Sequence, residues 1–139
     1  MNINLNPLIW GPHAWFFLES IIISYPSNPT NDDKEHFKNF FTVLKNVLPC
    51  KKCRINYDKH LKNNPLDDNV LANKDNLFKW IIKIHNLSNG YNKYNIKSSM
   101  KYYNMMYSNI SKNINYQIYI SIVIIMIILI YIFYIYKNK

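Results

Sequence analysis

Glycine occurs only twice in these 139 residues, and only Arg54 breaks an otherwise all-Lys set of 17 basic side chains. Scarce glycine disfavours β-rich folds built on many tight turns. Scarce arginine removes the bidentate forks that read base edges. The net charge of +9 therefore reads as a solvated Lys surface spread among Asn, Ile and Tyr, and no nucleic-acid partner is expected. Residues 1–10 also lack the basic stretch and apolar run of a signal peptide, so no cleaved leader is expected.

What is present favours helices. Hydrophobic residues make up 49% and aromatics 16% of a chain long enough for one compact domain, and the expected class is all-α. A first helix should open at Pro7 and run to the Tyr25-Pro26 stop. Thr30 followed by Asp33 reads as a capping box for a second helix carrying Phe37, Phe40, Phe41, Leu44 and Val47. A third helix starts near Pro49 and Cys50, and a fourth, capped by Asn73, carries Leu77, Trp80, Ile81, Ile84 and Leu87 up to Gly90. A short fifth helix follows from about Ile96.

Residues 118–136 are almost wholly apolar, with Ser121 as the clear polar exception and Tyr119, Tyr131, Tyr134 and Tyr136 towards the ends. As a helix rising ~1.5 Å per residue this segment spans about 28 Å, a bilayer's hydrocarbon thickness. The alternative, a buried core helix, demands more protein to cover it than this chain has. The expected layout is a domain over residues 1–108, a polar linker over 109–117 and a transmembrane anchor over 118–136. Such an anchor suggests insertion after synthesis with the domain left in the cytosol, on a host or virion membrane, while Lys on both flanks leaves the orientation open.

The two cysteines stand as Cys50-Lys51-Lys52-Cys53 at an expected helix start. Sulfurs at i and i+3 come within disulfide reach there, while the helix dipole and free N–H groups favour a thiolate. Lys51, Lys52 and Arg54 add positive potential. A lowered thiol pKa makes Cys50 a good leaving group, which a dithiol relay needs. Zinc is an alternative, since His60 and His85 would complete a Cys₂His₂ set, although their spacing matches no common knuckle. A plain structural disulfide is another. A thioredoxin-like unit would need a strand before the pair, and none is evident.

Several motifs in order resemble the Erv/ALR family of FAD-dependent sulfhydryl oxidases, over roughly residues 7 to 93. They are Trp10-Gly11-Pro12-His13-Ala14-Trp15, then Tyr25-Pro26 with Pro29, then Leu48-Pro49-Cys50-Lys51-Lys52-Cys53, then Trp80 followed by His85-Asn86-Leu87-Ser88-Asn89. The resemblance implies a four-helix bundle with a short fifth helix, binding FAD and pairing as a homodimer. It implies that Cys50 is the outer sulfur met by substrate and Cys53 the inner one against the flavin. Gly11, Trp15, His85, Asn86, Asn89 and Lys93 are the implied further cofactor-binding residues. Flat faces on Trp15 and His85 and a point charge on Lys93 suit adenine, flavin and pyrophosphate, although without the motifs each would read as ordinary core or surface. The chain departs from the family where Glu19 follows Leu18 in place of a His, so one cofactor contact is expected to be changed or lost. Lys93 falls one position early.

The function implied is a thiol oxidase that takes electrons from a dithiol protein, of the small thioredoxin-like or CxxC kind, and passes them to O2 to give H2O2. With no further cysteines, the chain looks most like the minimal viral members. Its rivals are a non-enzymatic membrane-anchored adaptor, whose basic face binds acidic partners, and a zinc-binding interaction module.

Overall fold

Asn6 opens the first helix, its side-chain oxygen accepting the Leu8 N–H at 3.0 Å, and Pro7 occupies a position where no amide donor is needed. A computed structural model of the chain describes residues 5–90 and 93–137, apart from the side chains of Ile110 and Ser111. Its helices are α1 (Pro7–Ile23), α2 (Asn31–Val47), α3 (Lys51–Asn63), α4 (Lys74–Asn89) and α5 (Ile96–Lys137), with a 3-10 turn at Val70–Ala72 before α4. Among the described residues there is no strand.

The boundaries follow local chemistry. Ser24 ends α1 by returning its N–H and hydroxyl to the Ile21 carbonyl. Thr30 and Asp33 exchange the two hydrogen bonds of a capping box at the head of α2. Asn73 caps α4 by accepting from Asn76 N–H at 2.9 Å, and Gly90 closes it in the left-handed region at φ 76°, a conformation that costs other residues strain.

α4 is the centre of a four-helix bundle, packing against α1, α3 and the 3-10 turn, while α2 packs against α3. It buries Leu77, Phe78, Trp80, Ile81, Ile82, Ile84 and His85. Each fully buried aliphatic side chain of this kind stabilises by about 1.5–3 kcal/mol. Two tyrosines tie distant segments through this core: Tyr25 donates to the Leu71 carbonyl at 2.8 Å and Tyr57 to the Phe41 carbonyl at 3.0 Å. Burial raises the Tyr57 pKa, keeping the hydroxyl a donor.

α5 departs from expectation. The short fifth helix, the linker at 109–117 and the apolar segment are one uninterrupted helix of 42 residues. Residues 108–117 contain neither Pro nor Gly, and extending a formed helix adds one hydrogen bond per residue fixed, so nothing in the sequence stops it. The chain divides into two compact units, Met1–Lys101 and Tyr102–Lys139, with the boundary inside α5. The second unit is long and apolar enough to cross a membrane, and its apolar window is not buried by protein.

Candidate functional site

Two constellations carry chemistry: a dithiol at the head of α3 and a stack of rings held by α1 and α4. Cys50 is the N-cap of α3, in extended conformation, and its Sγ accepts the Cys53 N–H at 3.2 Å. The turn before it is braced from two sides, by Arg54 donating to the Leu48 carbonyl and by Leu5 N–H donating to the Pro49 carbonyl at 3.2 Å. Both cysteines are free, and their exposures run opposite to the expected order: Cys50, expected as the outer sulfur, is 5% exposed, and Cys53, expected as the inner one, is half-buried.

This geometry splits the two titrations. The Cys50 pKa is lowered, foremost by a hydrogen bond from the Cys53 side chain, with backbone N–H groups and the Arg54 charge adding to it. That of Cys53 is pushed up to about 11, foremost by desolvation and then by its neighbour Cys50. Of the two, Cys50 is therefore the first to lose its proton as pH rises and Cys53 the last.

The ring stack is centred on His85. Trp15 lies parallel to it at 4.1 Å between centroids and 12° between planes, and Tyr94 at 4.1 Å and 29°. Two rings cannot share one face at that distance, so the imidazole is sandwiched. Its edge is held as well, Nδ1 lying 2.6 Å from Oε1 of the buried Glu19. Asn86 clamps Tyr94 by donating to its carbonyl and accepting its N–H, each at 2.9 Å. Lys93 places Nζ 5.3 Å from the Tyr94 ring centroid.

The other expected site residues lie as follows. Asn89 is exposed on the last turn of α4. A side chain at the half-exposed Gly11 would meet nothing within 4 Å, so the α1 backbone is open to approach there. Trp80 is core: it meets Phe41 edge-on at 5.4 Å and donates Nε1–H to the Asn64 carbonyl at 2.9 Å. Among the described residues no group of three or more His, Cys, Asp or Glu is placed to hold a metal. The sequence singles out neither Tyr94 nor the pairing of Glu19 with His85. Tyr94 belongs to no periodic pattern in the sequence, and the Glu19 pairing joins residues 66 positions apart.

A cleft of about 760 Å³ lies nearby, lined among others by Asn64, Trp80, Lys83, Asn86, Tyr94 and Asn95, and not by Trp15, Cys53 or His85. Trp15 and His85 are in direct contact, so a flat ring seated between them would part them by its own thickness.

Residues 12–108 match the Erv1 / Alr family. The chain belongs to the Erv1 / Alr family. It is 47% identical over 87 residues to a probable FAD-linked sulfhydryl oxidase of Acanthamoeba polyphaga mimivirus, a match covering 63% of this chain and 61% of that protein. It is 28% identical over 79 residues to the mitochondrial FAD-linked sulfhydryl oxidase ERV1 of Saccharomyces cerevisiae, covering 57% and 40%. The chain thus spans about three fifths of the length of the first of these relatives and two fifths of the second. Among solved structures, the FAD binding domain of Erv1 from Saccharomyces cerevisiae superposes with TM-score 0.62 at 24% identity, over 68% of this chain and 90% of that one. At that identity the likeness speaks to the fold, and it places this Erv1 / Alr member among four-helix bundles.

For an Erv1 / Alr member the cofactor to test against the site is FAD. The donor chemistry fits: stacked aromatic faces at Trp15, His85 and Tyr94, an exposed amide at Asn89, a cation at Lys93 and open backbone at Gly11.

Proposed function

We propose that this chain is an FAD-linked thiol oxidase that oxidises dithiols of a partner protein through Cys50 and Cys53. The observation that carries the reading is the cysteine pair at the head of α3, Cys50 capping the helix and its Sγ accepting the Cys53 N–H at 3.2 Å, in a chain of the Erv1 / Alr family.

Starting from the Cys50–Cys53 disulfide, a partner thiolate attacks Cys50 Sγ. The bond between the two cysteines breaks, and Cys53 leaves as the thiolate. The partner's second thiolate then attacks its own sulfur in the mixed disulfide and releases Cys50 as a thiolate. The partner has lost two electrons and gained a disulfide. Cys50, whose thiolate the helix head stabilises, is the better leaving group in that second exchange. The proton given up by the partner's second thiol goes to Cys53, the more basic of the two sulfurs, so the reduced pair carries one proton and one thiolate, on Cys50. FAD, when bound, supplies a two-electron acceptor for the reduced pair and passes those electrons to O2 as H2O2. Trp15, His85, Asn89, Lys93 and the open backbone at Gly11 would hold it, with Asn86 acting through Tyr94.

The substrate class is a dithiol protein small enough to bring its sulfur to the braced turn at Leu48. α5 supports attachment to a membrane, and the exposed Phe16, Phe17, Val43 and Val47 of α1 and α2 support pairing of two copies. Oxygen uptake by the purified chain with dithiothreitol tests the reading. Wild type is expected to consume oxygen, and the Cys50→Ser and Cys53→Ser forms to lose it by more than about a hundredfold. A Cys53→Ser form as fast as wild type would overturn the relay.

A further inference from the structure

One buried titratable side chain has no part in the exchange steps above. Glu19, on α1, is 4% exposed. A carboxylate at that depth is costly unless paired and hydrogen-bonded, and an apolar residue would fill the space without that cost. Its partner is Nδ1 of His85, itself 5% exposed, at 2.6 Å. With Glu19 as the carboxylate its oxygen can only accept, and the hydrogen of this contact then belongs to Nδ1. Trp15 and Tyr94 pin the two faces of the same ring, and Asn86 pins Tyr94 in turn. One imidazole is therefore constrained in plane, in rotation and in tautomer, which is more than core packing requires. From α1, Glu19 thus reaches the ring carried by the neighbouring α4.

We propose that Glu19 is a positioning residue that fixes His85 in its Nδ1–H form and in one ring plane, leaving Nε2 as the polar atom His85 offers to a bound flavin nucleotide. The proposal rests on the FAD-binding reading of this site. Glu19 acts through His85 and needs no contact of its own with the cofactor. Partners that orient a ligating imidazole are worth about ten- to a hundredfold in the affinity they support in metal sites, and a comparable effect on flavin retention is expected here.

The test uses the full chain in detergent, labelled with 15N-histidine, as wild type, Glu19→Gln and Glu19→Leu. Side-chain 15N resonances report the His85 tautomer directly, and flavin fluorescence released over time reports retention. Wild type should be yellow and show His85 protonated at Nδ1. Glu19→Leu should lose the fixed Nδ1–H signal and release flavin at least about tenfold faster, with unchanged far-ultraviolet helicity. If Glu19→Leu does not fold, Glu19→Gln carries the test, because the Nδ1–H signal and flavin retention must then be kept together or lost together. A yellow wild type whose Glu19→Leu form keeps flavin equally well, or a Gln form in which tautomer and retention separate, overturns the positioning role while leaving the flavin reading intact. A colourless wild type overturns both.

Discussion

Cys53 donates its backbone N–H to Cys50 Sγ at 3.2 Å, so the first cysteine of the pair is also the cap of the helix that carries the second. The cap position gives Cys50 the hydrogen bonds that favour its thiolate, and the next turn carries Cys53 into a desolvated setting that favours its thiol.

That asymmetry fixes a pH profile for the reduced protein. A thiol whose pKa is lowered has more thiolate at any pH below its ordinary value near 9.0, and one raised to about 11 has less. Timed iodoacetamide labelling read by peptide mass spectrometry should modify Cys50 first, with a half-point below 9.0, and Cys53 only towards pH 11. Labelling in the reverse order would contradict the assignment. Arg54→Ala should raise the Cys50 half-point, since the positive charge favours the Cys50 thiolate and the guanidinium also braces the Leu48 carbonyl.

The core makes a separate prediction about stability. Trp80→Ala empties a site that touches Phe41 and leaves the Asn64 carbonyl without its donor, which should cost about 3–5 kcal/mol. Tyr57→Phe keeps the ring and removes only the hydroxyl bonded to the Phe41 carbonyl, which should cost about 1 kcal/mol. Urea midpoints at an unchanged slope measure both, and equal losses would mean that Trp80 is not the packing centre described.

How much of this was legible in the sequence depends on range. Pro7, the Thr30–Asp33 box, Asn73 and Gly90 act on neighbours within a few residues, and the structure puts each at the helix end that its chemistry implies. The cysteine spacing was equally local. Helix continuity through 109–117 is not visible in polar composition, because a helix stops at Pro, Gly or a competing cap rather than at polarity. The Glu19–His85 and His85–Tyr94 contacts were out of reach for another reason. They depend on how α1, α4 and the segment after Gly90 meet, which no short-range pattern encodes.

The Asn86 side chain grips the backbone of Tyr94, donating to its carbonyl and accepting its N–H. Asn86→Ala should therefore raise amide hydrogen exchange at Tyr94 by about tenfold, the loss of roughly 1.4 kcal/mol of local hydrogen bonding. Exchange unchanged at Tyr94 would mean that another contact holds it.

The apolar part of α5 predicts membrane retention. Full-length protein should stay in the membrane pellet through alkaline carbonate extraction, and Ile127→Lys, at the middle of residues 118–136, should weaken retention, because a Lys at the centre of a span costs about 2.5–3.5 kcal/mol. Full release of the wild-type chain by carbonate would contradict membrane insertion.

The most direct measurement is the visible absorption spectrum of the purified full chain, taken without oxygen before and after a dithiol is added and again after air is admitted. The account predicts a flavin spectrum that bleaches with the dithiol in wild type, does not bleach at that rate in Cys53→Ser, and returns with air. A colourless protein, or a bound flavin that the dithiol bleaches equally fast with Cys53 replaced, would contradict it.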